Sequence, residues 1–530
     1  MMKKSHYESL TSPISGELIQ CFAPATGGLI ASIAVDSPDA VSAAVERARA
    51  AQPALGERSP KKRTRLLQAI LDGVVQRADE IVDLVVLDSG KTHEHALMGE
   101  VFPVAEKIRW TIANGPKHLA AERVGSGLLP HKRARIEYRP LGVKGAIVPW
   151  NYPFQNFMNP IVSGLMAGNA VIVKPSEWVA YSSARFASML REILRVEGYP
   201  ADLVQIVQGG GETGAALIEA GIDGLLFIGS EANGKKVLHA AADALIPVVL
   251  ELGGKDPMIV FEDAHLEAAA HGAINGCFIN AGQNCVSSER ILVQRSIARD
   301  FEERVSAIAQ SLRVGPSTKK GSVDVGAVIT PPQLRRVEAL VNEAIGEGAR
   351  LVVGGARLDE GMGSFFQPTI LAGLKPSMPI MNEEVFGPVM LIAEFEDEDE
   401  ALRIANGTRF GLGASLFTRD RERAARILSR LDSGMAAVNE FGGATYMAQD
   451  LPFGGIKASG FGQMNGRDGL RAFTRKMAIV DDALDLPMVN ALFPVTKTTY
   501  RGIRSAIDLL YGRGPAKLHA LPSLFGRERR

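Results

Sequence analysis

From residue 145 onward the chain alternates short β-branched runs with amphipathic stretches of helix length. The runs are Ala146-Ile147-Val148, Ala170-Val171-Ile172-Val173, Leu203 to Val207, Leu225 to Ile228 and Pro247 to Leu250. Continuous apolar strands separated by helical segments are what a parallel sheet buried on both faces requires, so this stretch predicts a doubly wound α/β domain. The rhythm restarts at Met258-Ile259-Val260-Phe261. It continues at Ile291 to Val293, Leu351 to Val353, Met390 to Ile392, Ser415 to Phe417 and Ala436 to Val438, predicting a second α/β domain. Residues 1–140 read as helical: Ser37-Pro38 places a capping residue before a first-turn proline, and Val41, Val45 and Ala48 recur at helical spacing. A second helix follows on Leu67, Ile70, Leu71, Val74 and Val75, with the pattern resuming at Ile81, Leu84 and Val85.

Composition narrows the class. The 530 residues carry 59 Lys and Arg against 59 Asp and Glu, and 46% are apolar. That is enough apolar sequence for real cores, and a balanced charge offers no basic field to attract nucleic acid. Three cysteines and nine scattered histidines supply neither a disulfide framework nor metal-ligand spacing, so no metal site is predicted and a reducing compartment fits. Met1-Met2-Lys3-Lys4 runs into polar sequence without the apolar stretch of a signal peptide, and no run is long enough for a membrane span. The expected location is the cytoplasm.

Residues 486–530 stand apart as a basic tail. From Lys497 they hold Arg501, Arg504, Arg513, Lys517, Arg527, Arg529 and Arg530 against Asp508 and Glu528 only. Tyr500, Ile503, Ile507 and Leu510 share one helical face, which suits a basic amphipathic helix in peripheral contact with a membrane or partner. The plainer reading is a surface helix packed on its own protein.

Several residues could carry chemistry. Cys285 follows a glycine-containing bend, Asn280-Ala281-Gly282-Gln283-Asn284, and precedes a strand, where a thiol can protrude; lone cysteines are also commonly small buried hydrophobes. Glu251 ends the apolar strand Val248-Val249-Leu250 beside Gly253 and Gly254. Desolvated there, it could act as a base near neutral pH; the alternative is an ordinary salt bridge to Lys255. Asn151, held in the proline-bracketed turn Pro149-Trp150-Asn151-Tyr152-Pro153, could offer its amide to an oxyanion or merely turn the chain. Lys174 and Glu177 follow a strand at the carboxyl edge of the sheet, where a ribose would find partners and where a carboxylate favours NAD over the 2′-phosphorylated NADP; a solvated ion pair competes with that reading. Two glycine patterns compete for a pyrophosphate. Gly209 to Gly214 fits the familiar spelling, but Gly229, Ser230 and Gly234 have the strand-to-helix context and are preferred.

These segments together resemble the aldehyde dehydrogenase superfamily, in its order and spacing, over residues 20–480. The segments are PWNYP at 149–153, KPSE at 174–177, FIGS at 227–230, ELGGK at 251–255, GQNC at 282–285, EEVFGPV at 383–389 and PFGGIKASGFG at 452–462. The resemblance implies an aldehyde dehydrogenase-like α/β fold: two doubly wound domains plus a small β oligomerisation element. Its domains would be 1–120 with 141–252 for NAD, 253–455 for catalysis, and 121–140 with 470–485 for assembly into a dimer or tetramer. It further implies Cys285 as nucleophile, Glu251 as base and Asn151 as oxyanion donor. Lys174 and Glu177 would hold the adenosine ribose, Gly229 and Ser230 the pyrophosphate, Glu384 and Phe386 the nicotinamide ribose, with Trp150 lining the site and Pro452, Phe453 and Gly454 forming a turn near the substrate mouth. The segment Gln463 to Asp468 departs from the family's usual Gly-Arg-Glu continuation, and Ile228 stands where threonine is frequent.

The function so implied is NAD-dependent oxidation of an aldehyde to its acid through a thiohemiacetal and a thioester, with NADP less favoured. The alternatives are a semialdehyde-specific or coenzyme-A-acylating relative, or a catalytically idle scaffold that binds a membrane or partner. The sequence does not name the aldehyde; general similarity suggests succinic semialdehyde.

Overall fold

The computed structural model describes residues 4–358, 363–483 and 493–514; 484–485 of the expected assembly element and 486–492 and 515–530 of the basic tail lie outside the described residues. These form two compact units, 1–121 with 137–477 and 122–136 with the described residues after 477.

The larger unit holds two mainly parallel sheets. The first has six strands in the order Gly460–Phe461, Val248–Leu252, Gly224–Gly229, Val143–Val148, Ala170–Pro175 and Val204–Ile206, with only Gly460–Phe461 antiparallel. The chain starts at the inner strand Val143–Val148, builds outward on one side, then returns to the other. The strand order therefore reverses between Val143–Val148 and Gly224–Gly229, which is where open α/β sheets bind ligands. The second sheet runs Arg350–Val353, Thr369–Ala372, Val389–Phe395, Arg290–Gln294, Pro257–Val260, Ser415–Phe417 and Ala437–Val438, parallel except for its first pair. Each apolar run anticipated from the sequence overlaps one of these strands, with Leu203, Val207, Pro247, Phe261 and Ala436 falling just outside. Helices on both faces bury the runs, as Ala170 to Val173 and Met258 to Val260 illustrate, all inaccessible to solvent.

The N-terminal helices begin as expected. Ser37 caps Pro38–Ala51 by accepting from the Ala40 amide at 3.2 Å, and Val41, Val45 and Ala48 are buried. Leu66, Leu67, Ile70 and Val74 form the inner face of Pro60–Gln76, and Ile81, Val82 and Val85 that of Ala78–Ser89. Residues 14–34 are a correction: they form an antiparallel three-stranded sheet, Ile14–Ser15, Leu18–Ala23 and Gly28–Ala34. Ile19 and Cys21 point inward at period two, a strand signal that the helical reading of this region passed over.

The smaller unit contains the strand Glu122–Val124 paired antiparallel with residues 134–136, and the helix Lys497–Tyr511. Tyr500, Ile503, Ile507 and Leu510 are all exposed on that helix. No helix among the described residues is long and apolar enough to cross a membrane.

Candidate active site

A cleft of about 1610 Å³ opens where the carboxyl ends of the first sheet meet the segments that precede strands of the second. Single-ligand pockets usually span about 300–1,000 Å³, so this one has room for two. Lys174, Gly229 and Glu251 lie at the carboxyl ends of strands of the first sheet, and Trp150, Asn151, Ser176, Glu177 and Ser230 just beyond such ends; Cys285, Glu384 and Phe386 precede strands of the second. All of these line the cleft.

Cys285 is partly buried at the end of a strained turn. Asn280 (φ 54), Ala281 (φ 53) and Gly282 (φ 70) are consecutively left-handed, a conformation that costs a non-glycine residue of order 1–3 kcal/mol. Side-chain bonds hold the turn. Asn280 Nδ2 donates to the carbonyls of Asn151 (2.9 Å) and Gln283 (3.0 Å), and Gln283 Oε1 accepts from the Ile329 amide at 2.8 Å. The side chain of Asn151 faces the same turn: Nδ2 donates to the Gln283 carbonyl at 3.2 Å while Oδ1 accepts from Asn156 at 3.3 Å. Among the described residues no acceptor meets the backbone N–H of Cys285.

Glu251 sits beside this thiol, paired with no cation among the described residues. The salt bridge to Lys255 that the sequence left open does not form, because the Lys255 ammonium pairs with Glu289, both buried. Glu251 Oε1 is buried with no hydrogen-bond partner. Burial raises this carboxyl to about 7, against a smaller lowering by its bond with the Cys285 thiol. The thiol is pushed well above its ordinary range, first by burial and then by the neighbouring Glu251 carboxylate. At neutral pH the thiol therefore rests protonated next to a carboxyl poised to take its proton.

Two glycines and a short strand create the approach. A Cβ on Gly254 would lie 2.5 Å from the Cys285 carbonyl oxygen, and one on Gly253 2.3 Å from Glu384. Gly460–Phe461 adds an antiparallel edge in which Glu251 pairs with Gly460, and Ser459 Oγ donates to the Gly253 carbonyl at 2.7 Å.

The other arm of the cleft suits a nucleotide. Lys174 is buried, with its ammonium 3.6 Å from Glu177, so the expected ion pair exists but faces the cleft. Ser230 caps the helix Glu231–Ala244 through the Asn233 amide and leaves the helix N-terminus toward the cavity. Gly234 does not line the cleft; a Cβ there would meet Leu252 Cδ2 at 2.6 Å, so its role is close packing of helix on strand. The Gly209–Gly214 segment follows the outer strand Val204–Ile206 and is also absent from the lining. Trp150 and Phe386 meet edge to face at 5.4 Å, and Glu384 Oε1 accepts from the Gly254 amide at 3.0 Å. Burial and the nearby Glu289 charge raise Glu384 to about 8.

Sequence reasoning missed three supports. Lys91 donates to Glu100 (2.6 Å) and to the Asn151 carbonyl (2.9 Å), and Glu100 accepts from the Phe154 and Gln155 amides at 3.0 and 2.8 Å. Glu289 accepts from the amides of Val385 and Phe386, fixing the loop that carries Glu384. No local pattern marks these residues.

The model of the aldehyde dehydrogenase family matches residues 11–479. An aldehyde dehydrogenase-like protein of Schizosaccharomyces pombe is 35% identical over 505 residues, covering 93% of this chain and 96% of that protein. The 4,4′-diapolycopene aldehyde oxidase of a Methylomonas species is 34% identical over 496 residues, covering 93% and 91%. Among solved structures, a betaine aldehyde dehydrogenase of Staphylococcus aureus in complex with NAD+ matches with a TM-score of 0.83 at 29% identity, covering 91% of this chain and 97% of that one. The chain belongs to the aldehyde dehydrogenase family, whose reaction is the NAD(P)-dependent oxidation of an aldehyde to its carboxylic acid.

Proposed function

We propose that Cys285 is the nucleophile of this reaction, Glu251 its base and Asn151 its oxyanion donor. The observation that carries the assignment is the buried Glu251 carboxyl, with Oε1 unsatisfied, bonded to the Cys285 thiol. Glu251 takes the proton of Cys285, and the thiolate sulfur attacks the aldehyde carbon while the carbonyl π pair moves to oxygen. Asn151 Nδ2 and the Cys285 backbone N–H receive that oxyanion; each such donor contributes about 3 kcal/mol of transition-state stabilisation. As the C=O bond re-forms, the C–H electron pair departs as hydride, leaving a thioester on Cys285. When bound, NAD supplies the hydride acceptor. Glu251, its proton released to solvent, then deprotonates a water that adds to the thioester, and the Cys285 thiolate leaves with the acid formed. A base in this position favours hydrolysis over transfer to coenzyme A.

The second arm's donors fit the dinucleotide. Lys174 and Glu177 suit ribose hydroxyls, and Ser230 with Gly229 at a helix N-terminus suits a pyrophosphate. Glu384 and Phe386 would hold the nicotinamide ribose, with Trp150 as wall; the Glu177 carboxylate disfavours a 2′-phosphate. We assign 1–120 with 141–252 to cofactor binding, 253–455 to catalysis and 121–140 with 470–485 to assembly. Exposed Met477 and Val480 on the edge strand Thr474–Asp482 suit pairing with a second copy, in a cytoplasmic dimer or tetramer. The exposed apolar face of Lys497–Tyr511, flanked by Lys497, Arg501 and Arg504, suits peripheral contact with an anionic membrane. Sedimentation with anionic vesicles at low salt tests this, and equal behaviour of a chain ending at 490 overturns it. For the central assignment, Cys285→Ala is expected to abolish NADH formation from any aldehyde; turnover by that variant refutes it.

A further inference from the structure

We propose that the aldehyde carries an apolar tail, and that ω-carboxylated aldehydes are poor substrates; this rests on the dehydrogenase reading above. The cations that line the cleft all belong to the nucleotide arm and are engaged there. Lys174 pairs with Glu177, Lys235 and Arg409 pair with Glu231, and Arg336 pairs with Glu383. Beyond Cys285 no described Lys or Arg lines the remaining arm.

The apolar walls of that arm include Phe441, Tyr446, Met447, Phe453, Met464 and Ile279, beside the neutral amides of Gln155 and Asn156. Tyr446 and Phe453 pack edge to face at 5.0 Å, and the Tyr446 hydroxyl is engaged, accepting from Asn159 at 2.8 Å. At the rim, Met98 is 57% exposed and its neighbours Leu97 and Phe102 are 51% and 53% exposed, a concentration of apolar surface that suits entry of an apolar chain.

An ω-carboxylate would find no cation. Lys91 lies buried behind Tyr152, bonded to Glu100 and the Asn151 carbonyl, and Lys107 lies buried behind Met464, bonded to the carbonyl of Met464 and to Asn465. His95 is held neutral by burial, while Glu94 and Glu440 add negative charge to the lining. A methylene chain, by contrast, gains burial at every step.

The test measures kcat/KM of the full chain with NAD for propanal, hexanal, octanal and succinic semialdehyde. The expected result is a rise of roughly threefold per methylene from propanal to octanal, with octanal about a hundredfold above succinic semialdehyde. Oxidation of propanal with a flat chain-length profile, or with succinic semialdehyde exceeding octanal, overturns this inference and leaves the dehydrogenase reading standing. No NADH from any aldehyde, propanal included, overturns both. Met447→Arg supplies the missing cation and is expected to shift the ratio of succinic semialdehyde to octanal at least tenfold toward the anion. An unchanged ratio contradicts this arm as the seat of the tail.

Discussion

The ammonium of Lys91 and the carboxylate of Glu100 meet at 2.6 Å with neither side chain exposed to solvent. Through Lys91 this pair holds the Asn151 carbonyl, and through Glu100 it holds the amides of Phe154 and Gln155, so both ends of the turn that presents the Asn151 amide are anchored to it. Removing one partner of a buried pair strands the other charge, at about 3–5 kcal/mol. Lys91→Met is therefore expected to lower the free energy of unfolding read from urea titration by that amount. It should also lower kcat more than it raises KM for NAD, because the oxyanion contact is made in the transition state. A stable variant with unchanged kcat contradicts this positioning role.

The pH dependence follows from Glu251. With its carboxyl at about 7, kcat for hydrolysis of the acyl-enzyme should rise through neutral pH and level off above it, and the rise should vanish in Glu251→Gln. Stability runs the opposite way. The folded-state value lies above the ordinary 4.5, so the folded chain binds the extra proton between the two; stability is fully present below 4.5 and falls as pH rises through about 7. Above that pH the buried charge costs about 3 kcal/mol, and Glu251→Gln should unfold at a higher temperature than the parent at pH 8. Equal melting curves at pH 8 contradict the raised value.

Gly282 marks the tightest contact between the Cys285 turn and the loop carrying Glu384. A Cβ there would lie 2.0 Å from the Gly387 carbonyl oxygen, and its φ of 70 is left-handed. Gly282→Ala must move backbone against backbone, and we expect at least about 3 kcal/mol of lost stability with loss of turnover in whatever folds. Wild-type melting and activity would show that the turn relaxes freely.

Glu177 separates the two dinucleotides. Its carboxylate, 3.6 Å from Lys174, repels a 2′-phosphate, so Glu177→Gln should raise kcat/KM with NADP relative to NAD at least tenfold. An unchanged ratio places cofactor choice elsewhere.

The strands were legible because burial on both faces leaves unbroken apolar runs, and Ala170 to Val173 or Met258 to Val260 need no context to be recognised. Thr369–Ala372 was harder: four residues opening on threonine, apolar through their sheet neighbours rather than their own pattern. Ile19 and Cys21 carried a period-two signal that the surrounding helices overshadowed. Within the site, Cys285, Glu251 and Asn151 stand in recognisable segments and converge. Lys91, Glu100 and Glu289 do not announce themselves, because a lysine or glutamate on a helix or loop looks solvated until the fold buries it. Lys255 shows the same limit from the other side. Its sequence neighbour Glu251 suggested a salt bridge, yet its partner lies 34 residues away at Glu289, and that diversion leaves Glu251 to face the Cys285 thiol.

The most direct measurement is rapid quench of Glu251→Gln mixed with octanal and NAD, followed by mass analysis of the intact chain and of the peptide containing Cys285. The account predicts a burst of about one NADH per active site, then a stall, with the octanoyl mass on Cys285 that hydroxylamine removes. A burst without an acylated Cys285, or steady turnover at the parental rate, would contradict it.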